Sequence, residues 1–82
     1  MDTKMLRLEL VNNTQREVVY NYFPEQENEY GIVSMDKDTG EISVIKVSPN
    51  DMYRSYLFHA VSKIEKYAKE IDFQENDVVA WY

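Results

Sequence analysis

Residues 35–52 decide the fold, and they read Met35-Asp36-Lys37-Asp38-Thr39-Gly40-Glu41-Ile42-Ser43-Val44-Ile45-Lys46-Val47-Ser48-Pro49-Asn50-Asp51-Met52. The first half has the composition of a β-hairpin turn, with Gly40 at the point where a short loop needs a positive φ angle. The second half has the signals of a helix start: Ser48 as the N-cap, Pro49 in the first helical position and Asp51 in the third. A hairpin that runs directly into a helix predicts a mixed α and β domain.

Alternation of apolar and polar residues predicts the strands around this stretch. Residues 6–10 and 18–23 have the period of half-buried strands, and short apolar runs at 31–35 and 42–47 flank the hairpin turn. Each connection is short, so an antiparallel four-stranded meander is the simplest topology. The last residues, 78–82, are rich in Val and aromatic side chains and predict a short C-terminal strand.

Apolar residues recur at helical spacing from the Ser48 cap to about residue 71. They form one stripe: Tyr53, Leu57, Ala60, Ile64, Tyr67 and Ile71. Val47 and Met52 are spaced as a hydrophobic staple across the helix start. We therefore expect a single α+β domain over residues 1–82, in the order β-β-β-β-α-β, with one long helix packed on one face of the sheet.

Composition and charge limit the functions that need to be considered. The 82-residue chain has no Cys and a net charge of −6, with nine acidic and four basic residues in positions 1–41. Binding to nucleic acid needs a basic surface, so we expect no nucleic-acid partner. The polar N-terminus and the absence of a long apolar run predict no signal peptide and no membrane span, and hence a soluble cytoplasmic protein.

The sequence contains no recognisable catalytic motif. His59 is the only histidine, and neither a catalytic triad nor a metal site can be built from one histidine with scattered carboxylates. We therefore expect no enzyme, no cofactor and no metal. The alternative is a small-molecule binder that uses His59 and neighbouring tyrosines.

Three features are candidates for a partner surface. Phe58 lies on the polar side of the predicted helix, where a large apolar side chain is either covered or meets a partner. Glu25, Glu27 and Glu29 alternate in an acidic loop that is either simply solvated or contacts a basic protein. Trp81 and Tyr82 end an uncharged strand that pairs either in its own sheet or with a second copy. These features favour a small non-enzymatic interaction or regulatory module, with a structural homodimer through the C-terminal strand as the alternative.

Three segments carry a loose resemblance to known sequences. The stretches Tyr30-Gly31-Ile32-Val33-Ser34, Thr39-Gly40-Glu41-Ile42 and Val79-Ala80-Trp81-Tyr82 resemble those of short uncharacterised bacterial proteins. The resemblance spans residues 18–82. It implies a small protein of bacterial or phage origin, and it transfers no activity and no site residue.

Overall fold

The computed structural model describes residues 3–25 and 27–81. Its elements follow the predicted order: β1 (Lys4–Asn13), β2 (Glu17–Pro24), β3 (Gly31–Asp36), β4 (Ile42–Lys46), α1 (Ser55–Glu70) and β5 (Asn76–Trp81). The strands form one antiparallel sheet in the order β4-β3-β2-β1-β5. The α+β class and the four-stranded meander are confirmed, and β5 pairs with β1 at the edge of the sheet.

The core lies between α1 and one face of the sheet. Its buried members are Leu6, Leu8, Val18, Tyr20, Tyr22, Val33, Met35, Leu57, Ala60, Ile64 and Tyr67. The four helical members belong to the stripe predicted from the sequence, because the 3.6-residue period places them on one side of α1. With only 16 residues in α1, the part of the chain described here has no helix long and apolar enough to cross a membrane.

The helix begins later than the sequence signals indicate. Ser48 to Asp51 form a turn, closed by the Asp51 N–H donating to the Ser48 carbonyl at 3.0 Å, and α1 starts at Ser55. The prediction of Ser48 as N-cap is therefore wrong. The physical reason is that Ser followed by Pro, Asn and Asp is also the preferred sequence of a type I turn.

The two ends of the predicted stripe are also outside the core. Tyr53 and Ile71 are 84% and 88% exposed, because Tyr53 precedes the helix and Ile71 follows its last turn. Met52 is 83% exposed, so the predicted staple with Val47 does not form. Large apolar side chains are therefore left on the surface at both ends of α1.

The helix covers the sheet unevenly. It lies over β1, β2, β3 and β5. Val44 of β4 pairs with the core residue Val33 and so belongs to the helix side of the sheet, yet it is 45% exposed. The β4 edge is therefore the part of the sheet that α1 leaves uncovered.

Candidate functional site

Exposed apolar side chains concentrate in one segment of the chain. Eight large hydrophobic residues are exposed within the described ranges, and five of them lie between residues 44 and 58. These five are Val44, Ile45, Met52, Tyr53 and Phe58. We call this set the exposed apolar segment. Phe58, the residue singled out from the sequence, is 64% exposed and belongs to it.

Phe58 lies on the outer face of α1, away from the sheet. One flank of the helix is fixed by His59, which stacks on Trp81 of β5, and by Lys63, which pairs with Asp77 of β5. At 100° per residue Phe58 projects about 140° from the centre of the buried stripe of α1. Phe58 therefore lies on the surface of the helix that the sheet does not cover.

A buried hydrogen-bond network fixes the turn that carries Met52 and Tyr53. The Tyr22 hydroxyl accepts from the Ser48 N–H at 3.0 Å and donates to the Asp51 carboxylate at 3.3 Å. Asp51 is only 4% exposed, and its carboxylate also accepts from the N–H groups of Tyr56 and Leu57. Burial raises the pKa of Tyr22, so the hydroxyl keeps its proton as a donor. The turn is thus held to the sheet and to α1 at the same point.

The three glutamates of the acidic loop differ in their contacts. The Glu25 carboxylate accepts from the Tyr56 hydroxyl at 2.7 Å and from the Met5 N–H at 2.9 Å. The Tyr56 bond, followed by the Met5 bond, holds the pKa of Glu25 below its usual range. Glu27 and Glu29 are exposed, and the Glu29 carbonyl accepts from the Ser48 hydroxyl at 3.4 Å. Glu25 therefore links β1 to α1, whereas Glu27 and Glu29 present their carboxylates to the surface.

His59 takes part in an aromatic cluster at the end of β5. Its ring stacks on Trp81 with centroids 3.7 Å apart and 18° between the planes, and Tyr56 meets the same indole edge-on at 5.3 Å. Because Tyr56 also donates to Glu25, the cluster joins three sequence candidates: Glu25, His59 and Trp81. Burial, followed by the Glu25 carboxylate, raises the pKa of Tyr56 to about 12. Tyr82, named with Trp81 as part of the candidate partner surface, lies outside the described residues.

A second polar contact attaches the start of β5 to α1. The Tyr67 hydroxyl donates to the Asp77 carboxylate, and the Lys63 ammonium lies 3.6 Å from the same group. Partial burial opposes ionisation of Asp77, but the Tyr67 and Val78 donors and the Lys63 charge outweigh it and lower its pKa. No local sequence pattern predicts this contact, since α1 and β5 meet only through the tertiary fold.

The two edges of the sheet differ in their protection against pairing. β4 has five residues, a register shift against β3, and Lys46 at its end. β5 has six residues and an unbroken register against β1, from Lys4 opposite Trp81 to Glu9 opposite Asn76. Bulges and lysines are the usual protection of an edge, so β5 is the less protected one.

Neither metal chemistry nor known relatives assign a role to these surfaces. Within residues 3–25 and 27–81, no three His, Asp or Glu side chains come close enough together to hold a metal ion. The chain matches no protein-family model, no curated protein and no solved structure. A function for this chain can therefore be proposed only from the geometry of the molecule.

Proposed function

We propose that this chain is a small non-enzymatic protein-interaction module that docks through the exposed apolar segment. The observation that carries the proposal is that five exposed apolar residues, Val44, Ile45, Met52, Tyr53 and Phe58, lie together between residues 44 and 58 of the chain. Single exposed apolar residues are ordinary, but a group of them marks an interaction surface. Aromatic side chains and Met are enriched in protein interfaces, which fits the composition of this segment.

The rigidity of the segment supports the same proposal. The Asp51 carboxylate and the Tyr22 hydroxyl hold the turn that presents Met52 and Tyr53. Ordering loops and side chains on binding costs affinity, and a turn that is already fixed avoids part of that cost. The backbone of the turn that carries Met52 and Tyr53 is therefore already ordered before a partner binds.

Charge favours a partner with a basic surface. The chain carries a net charge of −6. Glu27 and Glu29 lie in the β2–β3 loop, which the Ser48–Glu29 hydrogen bond joins to the turn before α1. A positively charged partner would be steered toward this end of the molecule by long-range attraction. The proposed partner is therefore a protein with an apolar groove and basic residues at its rim.

The test compares two triple variants of the whole chain. The docking variant carries Met52→Ser, Tyr53→Ser and Phe58→Ser. The control variant carries Val11→Thr, Val78→Thr and Ile71→Ser, which remove exposed apolar groups elsewhere. Proteins captured by the wild-type chain and by the control, but not by the docking variant, are purified and their direct binding is measured against salt concentration. We expect binding that weakens as salt rises.

The proposal fails if the docking variant, with a wild-type circular dichroism spectrum, captures the same proteins as the control. A further variant, with Glu27→Gln and Glu29→Gln, tests the attraction to basic residues of the partner. Glu25 is left unchanged, because its carboxylate accepts hydrogen bonds from Tyr56 and Met5. A partner whose affinity does not change with salt would contradict the basic rim.

A structural homodimer through β5 is the second candidate, favoured by the unprotected outer edge of that strand. In an antiparallel pair centred on Val79, Asp77 of one copy lies opposite Trp81 of the other, and no two carboxylates face each other. Sedimentation of the whole chain up to high micromolar concentration tests this candidate. A dimer that Val78→Lys dissociates would support it, and a monomer at every concentration would remove it.

Small-molecule binding by His59 stays a prediction. One face of the imidazole packs against Trp81, so a ligand would have to use the other face or the ring edge. Chemical shifts of the His59 ring during a ligand screen would test it, with Trp81→Leu as the variant that frees the covered face.

A further inference from the structure

An open cleft of about 620 Å³ lies where α1 ends, between its last turns and the β3–β4 hairpin. Its size is within the range of small-molecule sites, about 300–1,000 Å³. Apolar side chains from three segments contribute to its walls: Met35, Ala68, Ile71 and Phe73. The cleft lies at the C-terminal end of α1, whereas Phe58 of the exposed apolar segment lies near its N-terminal end. Ligand binding in the cleft therefore does not rest on the proposed docking function.

Lys37 is held in place at one wall of this cleft. Its ammonium donates to the side-chain oxygen of Asn13 and lies 5.0 Å from the centroid of the Phe73 ring. An ammonium has three donors, so donors remain beyond the one given to Asn13. A long side chain fixed in this way loses less rotamer freedom when it binds an anion.

Ile71 lies at the edge of the cleft, and neither its backbone conformation nor its exposed side chain favours the folded state. Its φ of 53° and ψ of 46° are left-handed, a conformation that β-branched residues rarely adopt and that Gly would occupy without strain. Its side chain is 88% exposed. The left-handed backbone closes α1, since the Ile71 N–H donates to the Ala68 carbonyl and the Asp72 N–H to the Tyr67 carbonyl. The helix end thereby places the exposed Ile71 side chain at the edge of the cleft, where it can contact a ligand.

The charges around the cleft select the kind of ligand. Lys37 and Lys69 contribute two positive charges, and Glu65 and Asp72 contribute two negative ones. A ligand with a single charge would be attracted by one pair and repelled by the other. We propose that the cleft binds a zwitterionic molecule with an apolar body, namely a free α-amino acid with a bulky apolar side chain.

The test is a titration of the isotope-labelled chain with L-phenylalanine, followed by backbone NMR shifts. We expect shifts grouped at Lys37, Lys69, Ile71 and Phe73. N-acetyl-phenylalanine lacks the ammonium and phenylalaninamide lacks the carboxylate, so each should bind about tenfold more weakly, the usual effect of losing one charged hydrogen bond.

Matched variants on α1 separate a built site from general surface binding. Glu65→Gln and Lys69→Gln remove charges that line the cleft, and each should weaken L-phenylalanine binding about tenfold. Lys66→Gln and Glu70→Gln remove charges from the same helix outside the cleft and should leave binding unchanged. The proposal is overturned if L-phenylalanine causes no grouped shifts, if both single-charge analogues bind as well as the amino acid, or if the two pairs of variants behave alike.

Discussion

The Asp51 carboxylate accepts a hydrogen bond of 2.8 Å from the backbone N–H of Leu57, six residues further along the chain. It accepts a second, of 3.2 Å, from the N–H of Tyr56. These are among the first donors of α1, which have no partner within the helix. Asp51 therefore performs from a buried turn the role that an N-cap side chain usually performs, and its charge faces the positive end of the helix dipole.

Removing this carboxylate should destabilise the domain more than removing the Ser48 hydroxyl. We expect Asp51→Ala to lower the free energy of unfolding by about 2 kcal/mol, because two helix donors and the Tyr22 hydroxyl lose a buried acceptor. Ser48→Ala should cost about 0.5–1 kcal/mol, since its hydroxyl makes longer bonds to Asn50 and Glu29. Urea unfolding followed by circular dichroism measures both, and the reverse ranking would contradict the capping role of Asp51.

Local patterns were enough to predict the elements but not the start of the helix. The strands and the buried stripe from Leu57 to Tyr67 follow from short-range periodicity. Residues 48–51 fit both a helix start and a β-turn, and the choice depends on Tyr22, whose hydroxyl binds Ser48 and Asp51 across the fold. No local signal in residues 48–51 contains that contact.

The same limit explains the candidate sites. The exposure of Phe58 follows from its angle on the helix and was predictable. The stack of His59 on Trp81 requires β5 to pair beside β1 and α1 to lie over it, which is a property of the whole fold. Glu25 is exposed, as the sequence predicts. Its hydrogen bonds to Met5 and Tyr56 are not predictable from the local pattern, because both partners are distant in the sequence.

Gly31 should not tolerate a methyl group. A Cβ atom at this position would lie 2.1 Å from Cε1 of the Tyr22 ring, which is buried and bonded to Ser48 and Asp51. We expect Gly31→Ala to lower the free energy of unfolding by about 3 kcal/mol, since the ring must move and its hydroxyl contacts weaken. Gly40→Ala is the control: nothing lies within 4 Å, so only its φ of 77° opposes the change, at about 1 kcal/mol. Equal effects in urea unfolding would contradict the close contact.

Replacing Ile71 should stabilise the domain. Gly adopts the left-handed conformation of this position without steric cost, so we expect Ile71→Gly to raise the free energy of unfolding by about 1 kcal/mol. Lys69→Gly, two residues earlier in the regular helix, should lower it by about 1 kcal/mol, because Gly is a poor helix former. Thermal and urea unfolding measure both variants. A loss of stability in Ile71→Gly would show that the side chain supports the fold by more than its left-handed backbone costs.

Alkaline pH should destabilise the folded state through its bonded tyrosines. Burial raises the pKa of Tyr20, whose hydroxyl donates to the Gln74 carbonyl at 2.6 Å. Burial, followed by the bond to Asp77, raises the pKa of Tyr67. The unfolded chain loses these protons near pH 10, where the folded chain retains them, so the stability is complete below about pH 10 and falls above it.

The pH dependence can be measured by urea unfolding at several alkaline pH values, together with the ultraviolet absorbance of tyrosinate. Tyr56 should ionise in the folded chain only near its raised pKa of about 12. Tyr67→Phe removes one of the raised groups, and the decline of stability above pH 10 should become less steep. A stability that stays constant from neutral pH to well above pH 10, or a Tyr67→Phe variant with an unchanged decline, would mean that these hydroxyl contacts are not maintained in solution.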